Sequence, residues 1–205
     1  MGFGLLFLGY LTFLSFKIMP AGLIGTALMY FGLSKLCIHA PYFNKAKKLS
    51  AAYFIYYLIF TALWILNMTG VFDSLGKFQS KLIWFADSAV HGILFFVFSL
   101  VLCKALEQIC NEVGYEKGIK KQRLCGAFLN VFALGTVLRL ALYFTNFGNI
   151  LQMPVMLVEL LSIVSVSAWI YSCYMMIATQ EIIDDETEKI RKYDEKHYSN
   201  RKSKK

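Results

Sequence analysis

Four ionisable residues interrupt otherwise apolar stretches of this 205-residue chain: Asp87, His91, Arg139 and Glu159. Two carboxylates, an imidazole and a guanidinium can hold a proton, bind a cation or hold a charged solute. In apolar surroundings such groups are costly unless they are paired or put to use. Insertion scales charge about 2.5–3.5 kcal/mol for each Asp or Arg at a helix centre, so four unpaired groups would cost on the order of 10 kcal/mol. They are therefore expected to meet one another. Asp87 and His91 are spaced i,i+4 and share a helix face. Arg139 and Glu159 fall on consecutive apolar runs with a short connection, which predicts a pair between them. Two negative groups and one positive group balance only with one added proton, which this reading places on His91 with Asp87 as its partner.

The elements that must position these residues are membrane spans. The chain is 58% hydrophobic with mean hydropathy +0.55 and only 17% charged residues, against about 25% charged in soluble domains. Apolar runs of about 18 or more residues predict an all-α bundle of six transmembrane helices, over residues 2–19, 21–38, 49–70, 82–103, 124–147 and 150–179. A charged cytoplasmic tail follows at 180–205. The first two runs are too long together for one crossing, and Pro20 and Gly22 after Lys17 predict a tight break, read as two spans or a re-entrant hairpin. On these boundaries Asp87, His91, Arg139 and Glu159 lie about 8, 14, 12 and 14 Å from the outer ends of their spans at 1.5 Å per residue. That is one layer in the outer half.

Net charge is +8, and it is segregated. With both termini in the cytoplasm, seventeen Lys and Arg lie inside and only Lys17, Lys77 and Lys81 outside; the last basic residue is Arg139. This bias fixes orientation by the positive-inside rule and argues against a nucleic-acid partner. Trp84 and Tyr143 are expected at the outer interface, and Tyr42, Phe43 and Tyr53 at the inner one. Cys37, Cys103, Cys110, Cys125 and Cys173 all fall toward the cytoplasmic side, where thiols stay reduced.

The segment 104–123 is expected to continue the fourth helix as far as Gly114, a C-cap. The tail carries favourable i,i+4 pairs, Asp185/Lys189 and Glu188/Lys192, and its basic end could touch lipid or a cytoplasmic protein partner. Several motifs are set aside. Residues 70–77 resemble a phosphate loop with one residue too many, and Ser74 to Lys77 is an isolated S-x-x-K match. Asn67-Met-Thr69 is a glycosylation sequon close to the membrane. Asp87, His91 and Glu159 could ligate a metal, but Arg139 opposes one and nothing fixes a geometry. No catalytic residue, metal site or cofactor is predicted, and the chain is read as a non-enzyme.

Three short stretches carry a resemblance: Met1-Gly-Phe-Gly-Leu-Leu-Phe-Leu-Gly-Tyr10, Met19-Pro-Ala-Gly-Leu-Ile-Gly25 and Phe31-Gly-Leu-Ser-Lys-Leu36. They resemble an uncharacterised group of small multi-pass membrane proteins from low-GC Gram-positive bacteria. In that group a Pro-Asp pair precedes an Ile-Gly step, whereas Ala21 stands at the acidic position here. The resemblance implies no known activity; it implies a bacterial plasma membrane. The functional expectation is a transport-related bundle with a proton- or solute-binding cluster. The alternative is a scaffold or accessory subunit whose buried charges only lock helices together.

Overall fold

The computed structural model describes residues 2–14, 19–37, 40–70 and 77–202, with side chains described except at Met19, 77–80, 116–117, Asn146 and 177–202. Among the described residues there are only helices and short connections. Helix α1 (Gly2–Leu11) tightens into a 3-10 turn (Thr12–Leu14) and is followed by α2 (Met19–Leu36), α3 (Pro41–Met68), α4 (Lys77–Glu112), α5 (Glu116–Ala141) and α6 (Asn146–Lys202). Each helix packs on its neighbour in sequence, and α6 returns to α1, so the six form a closed ring.

Four helical segments are long and apolar enough to cross a membrane: Pro41–Met68, Lys81–Glu112, Gly118–Ala141 and Phe147–Met176. Their outward faces carry Ile55, Leu58, Ile93, Leu134, Val137, Met153 and Leu157, each at least half exposed. A continuous apolar exterior of this extent suits lipid, not water. The expected count of six spans is met only at this coarser level. Helix α1 with its 3-10 turn covers about 20 Å and α2 about 27 Å, short against a hydrocarbon core of about 30 Å.

The two short helices make an antiparallel hairpin because glycines let their backbones touch. A Cβ on Gly9 would stand 2.6 Å from the Gly25 carbonyl oxygen, and one on Gly32 would stand 2.8 Å from that of Gly2. Both pairs are centred on residue 17, so they belong to one register. Gly22 faces the other way, against the ring of Tyr57 on α3.

The helix ends correct several expected boundaries. Helix α3 starts at Pro41, eight residues before the expected span, because Ala40 is extended and Pro41 has the φ a first turn needs. Helix α4 ends at Glu112 in a Schellman cap: Gly114 has φ +69°, Gly114 N–H bonds the Asn111 carbonyl, and Tyr115 N–H bonds that of Cys110. The rest of the expected inner loop is the first turns of α5. The connection between the last two spans is Leu142–Thr145, a few residues before the expected break between 147 and 150, and residues 146–149 already belong to α6. Helix α6 continues beyond the expected span at 150–179 as far as Lys202. The side chains of the tail pairs, Lys17, and the phosphate-loop look-alike over residues 71–76 lie outside the described residues.

The core is aromatic. Tyr10, Phe13, Tyr53, Tyr57, Phe95 and Phe98 form one cluster, with Tyr10 and Phe98 nearly parallel at 6.2 Å. Tyr53 is fully buried there, and Phe43 is buried against Phe3, so neither belongs to an interfacial belt. Tyr42 does carry a lysine neighbour, Lys45, over its ring.

Candidate functional site

The structure brings Asp87, His91, Arg139 and Glu159 to the walls of one small cavity between α4, α5 and α6. Its volume is about 80 Å³, and Ser88, Gly92, Phe132, Thr136 and Val155 complete the lining. Gly92 makes it possible, since a Cβ there would stand 2.7 Å from the Thr136 methyl and hold α4 off α5. The imidazole of His91 lies nearly parallel to Phe95, which is edge-on to Phe132, so aromatic rings floor the polar space.

The four residues do not pair as their spacing suggested. His91 Nε2 is 2.8 Å from Glu159 Oε1, the one ion pair or neutral hydrogen bond of its kind among the described residues. Its Nδ1 is 3.1 Å from the Tyr53 hydroxyl. Asp87 instead accepts a 2.7 Å hydrogen bond from the Tyr56 hydroxyl. Asp87 and His91 share a face as expected, but they do not bond each other: Asp87 bonds α3 through Tyr56, and His91 bridges α3 through Tyr53 and α6 through Glu159.

Arg139 and Glu159 also stay apart, for a reason of depth. Gly135 sits against Val155 across the α5–α6 seam. Arg139 lies four residues from Gly135 toward the loop, and Glu159 four residues from Val155 away from it. Their backbones therefore differ in depth by about 12 Å at 1.5 Å per residue. Arg139 occupies the last turn of α5, where a cation complements the helix dipole, and its Nη2 donates to Ser88 Oγ at 3.1 Å.

The chemistry follows from the bonding. When His91 is neutral, Nε2–H donates to Glu159 and Nδ1 accepts from Tyr53. When it is protonated, both nitrogens donate and the Tyr53 oxygen accepts. The same heavy-atom geometry serves both states, so a proton can come and go without moving a helix. The His91 side chain is 25% exposed and that of Glu159 11%, so both reach the cavity surface. The Thr136 hydroxyl oxygen has no hydrogen-bond partner among the described residues although it is buried on the cavity wall. Space for a few water molecules or one small solute, with an unused hydroxyl and a guanidinium that donates once, is a binding geometry.

Sequence reasoning missed Tyr53, Tyr56, Ser88 and Thr136. One signal was present: Tyr53, Tyr56 and Tyr57 are spaced i,i+3,i+4 and therefore share a face of an apolar span. Among the described residues no three His, Cys, Asp or Glu side chains gather as a metal would require. The cysteines are free, with Cys110 and Cys173 Sγ atoms 3.7 Å apart at the other end of α4.

The fold and site together define a helical membrane protein, by the length and composition of its spans, with a polar cavity in its interior. Comparison with family models, with curated proteins and with solved structures finds no match.

Proposed function

We propose that this chain is a transport-related protein of a bacterial plasma membrane whose cavity binds a proton or a small polar solute. Both termini are cytoplasmic in this reading. The α1–α2 hairpin enters from that face and returns to it, completing a six-helix bundle. The basic inner loops and tail support the orientation, and the N-terminal resemblance supports the compartment. The observation that carries the functional reading is the cavity itself. Four ionisable side chains from three helices line it, one of them a histidine bonded on both nitrogens. Intramembrane ionisable groups around a water-sized space are the usual apparatus of proton and solute pathways. Asp87, His91 and Glu159 would take the proton or cation, and Arg139 with Thr136 would hold an anionic or polar group.

Thermal stability of the purified protein, scanned against small ions and polar solutes, tests this. At least one should raise the melting temperature of the natural chain and not that of a folded Glu159→Gln variant. A panel that shifts neither, with no proton movement across reconstituted vesicles, overturns it.

A second reading has one observation in its favour. The polar bonds tie α4 to every neighbour: Tyr56–Asp87 to α3, Arg139–Ser88 to α5 and His91–Glu159 to α6. A scaffold whose charges only lock helices would need those bonds and no cavity. Replacing His91 and Glu159 together by Leu separates the two: a scaffold keeps its partner in pull-down, a transporter folds but loses uptake.

A further inference from the structure

An apolar recess lies away from the polar cavity, on the outside of the bundle between α2 and α3. It encloses about 370 Å³ and is lined by Ala27, Tyr30, Phe31, Ala51, Phe54 and Ile55. The residues fall on two helical stripes. On α2, Ala27, Tyr30 and Phe31 are spaced i,i+3,i+4, and the same stripe reaches Lys35 four residues beyond Phe31. On α3, Ala51, Phe54 and Ile55 repeat that spacing, and Lys47 precedes Ala51 by four. The helices are antiparallel, so the two lysines arrive at the same end of the groove. Lys47 Nζ lies 5.1 Å above the ring of Tyr30, a groove-lining residue. Lys35 is exposed in the last turn of α2. Among the described side chains neither has a carboxylate partner.

We propose that this groove binds an anionic phospholipid, with an acyl chain along the apolar lining and the phosphate between Lys35 and Lys47. Small Ala27 and Ala51 open the recess, while Phe31 and Ile55, both more than half exposed, form its rims. An apolar slot facing lipid would be filled by any acyl chain. The paired cations at its mouth are what select the headgroup, because a basic pocket at the cytoplasmic interface favours anionic lipid by about fivefold per lysine. The site is independent of the polar cavity and stands whether or not that cavity transports anything.

Binding of phosphatidylglycerol and phosphatidylcholine with identical chains, measured on the detergent-purified full chain by native mass spectrometry, tests the assignment. The natural chain should prefer phosphatidylglycerol. Lys35→Gln with Lys47→Gln should weaken that lipid by about 25-fold and leave phosphatidylcholine unchanged. Ala51→Phe, which fills the recess, should weaken both. Equal binding of the two lipids by the natural chain overturns the proposal. So does a helical double variant that keeps the preference, or inorganic phosphate displacing the lipid at equal concentration, which would assign the lysines to a free anion.

Discussion

His91 Nε2 and Glu159 Oε1 meet at 2.8 Å across the α4–α6 interface, bridging sixty-eight residues of sequence. A bond of this kind is worth little as a pair and much as a constraint. Removing one partner leaves a buried polar group without its complement, at a cost of about 3–5 kcal/mol, whereas replacing both by apolar residues of similar size is often neutral. His91→Leu and Glu159→Leu should each lower the unfolding midpoint strongly, and the double variant should recover much of the loss. A double-mutant cycle on thermal or denaturant unfolding in detergent reads this coupling directly.

Tyr56→Phe isolates the other carboxylate. The hydroxyl of Tyr56 is the hydrogen-bond donor to Asp87. Without it the carboxylate keeps its place near the cavity but loses its only direct hydrogen-bond partner among the described residues, at about 1–3 kcal/mol. Asp87→Asn should lose less, since the amide oxygen still accepts from Tyr56. A larger loss in Asp87→Asn than in Tyr56→Phe would show that the charge and not the hydrogen bond matters.

How much of this was legible beforehand depends on the physical scale involved. Asp87, His91, Arg139 and Glu159 stand out in the sequence because a charge in an apolar run costs several kcal/mol wherever the helix points. Their partners do not, because pairing depends on how far each helix is rotated and slid against the next. A difference of eight residues in depth separates Arg139 from Glu159, and nothing in either span records it. Helix ends were misplaced for a related reason. Lys45, Lys47 and Lys48 set the expected start of the apolar span, but hydrogen bonding runs on through them to Pro41. Gly114 was readable because its cap is local chemistry. The hairpin of α1 and α2 was half readable: the break near Pro20 is a local signal, whereas the Gly9–Gly25 contact is a tertiary one.

That contact gives a sharp test of the hairpin. A side chain at Gly9 would meet the Gly25 carbonyl and Met29 at 2.6 Å, and backbone cannot retreat as a flexible side chain would. Gly9→Val should therefore destabilise the protein by about 1–3 kcal/mol. Gly4 lies on the same helix with nothing within 4 Å of its would-be Cβ, so Gly4→Ala should be neutral or slightly stabilising. Melting temperatures of the two variants, measured side by side, distinguish a packed hairpin from two loosely placed helices.

Thr136 separates binding from stability. Its hydroxyl oxygen is buried on the cavity wall with no partner among the described residues, while its methyl packs against Gly92. Thr136→Val keeps the shape and removes a group that already bonds to nothing, so folding should lose under about 1 kcal/mol or gain slightly. If the cavity holds a polar solute, the hydroxyl is there to be used, and losing one hydrogen bond of about 1 kcal/mol weakens binding roughly fivefold. Isothermal titration with whichever solute stabilises the natural chain supplies the affinity, and a denaturant melt supplies the stability. A Val variant that binds as tightly as the natural chain would remove Thr136 from the site and shift the weight onto Arg139 and Ser88.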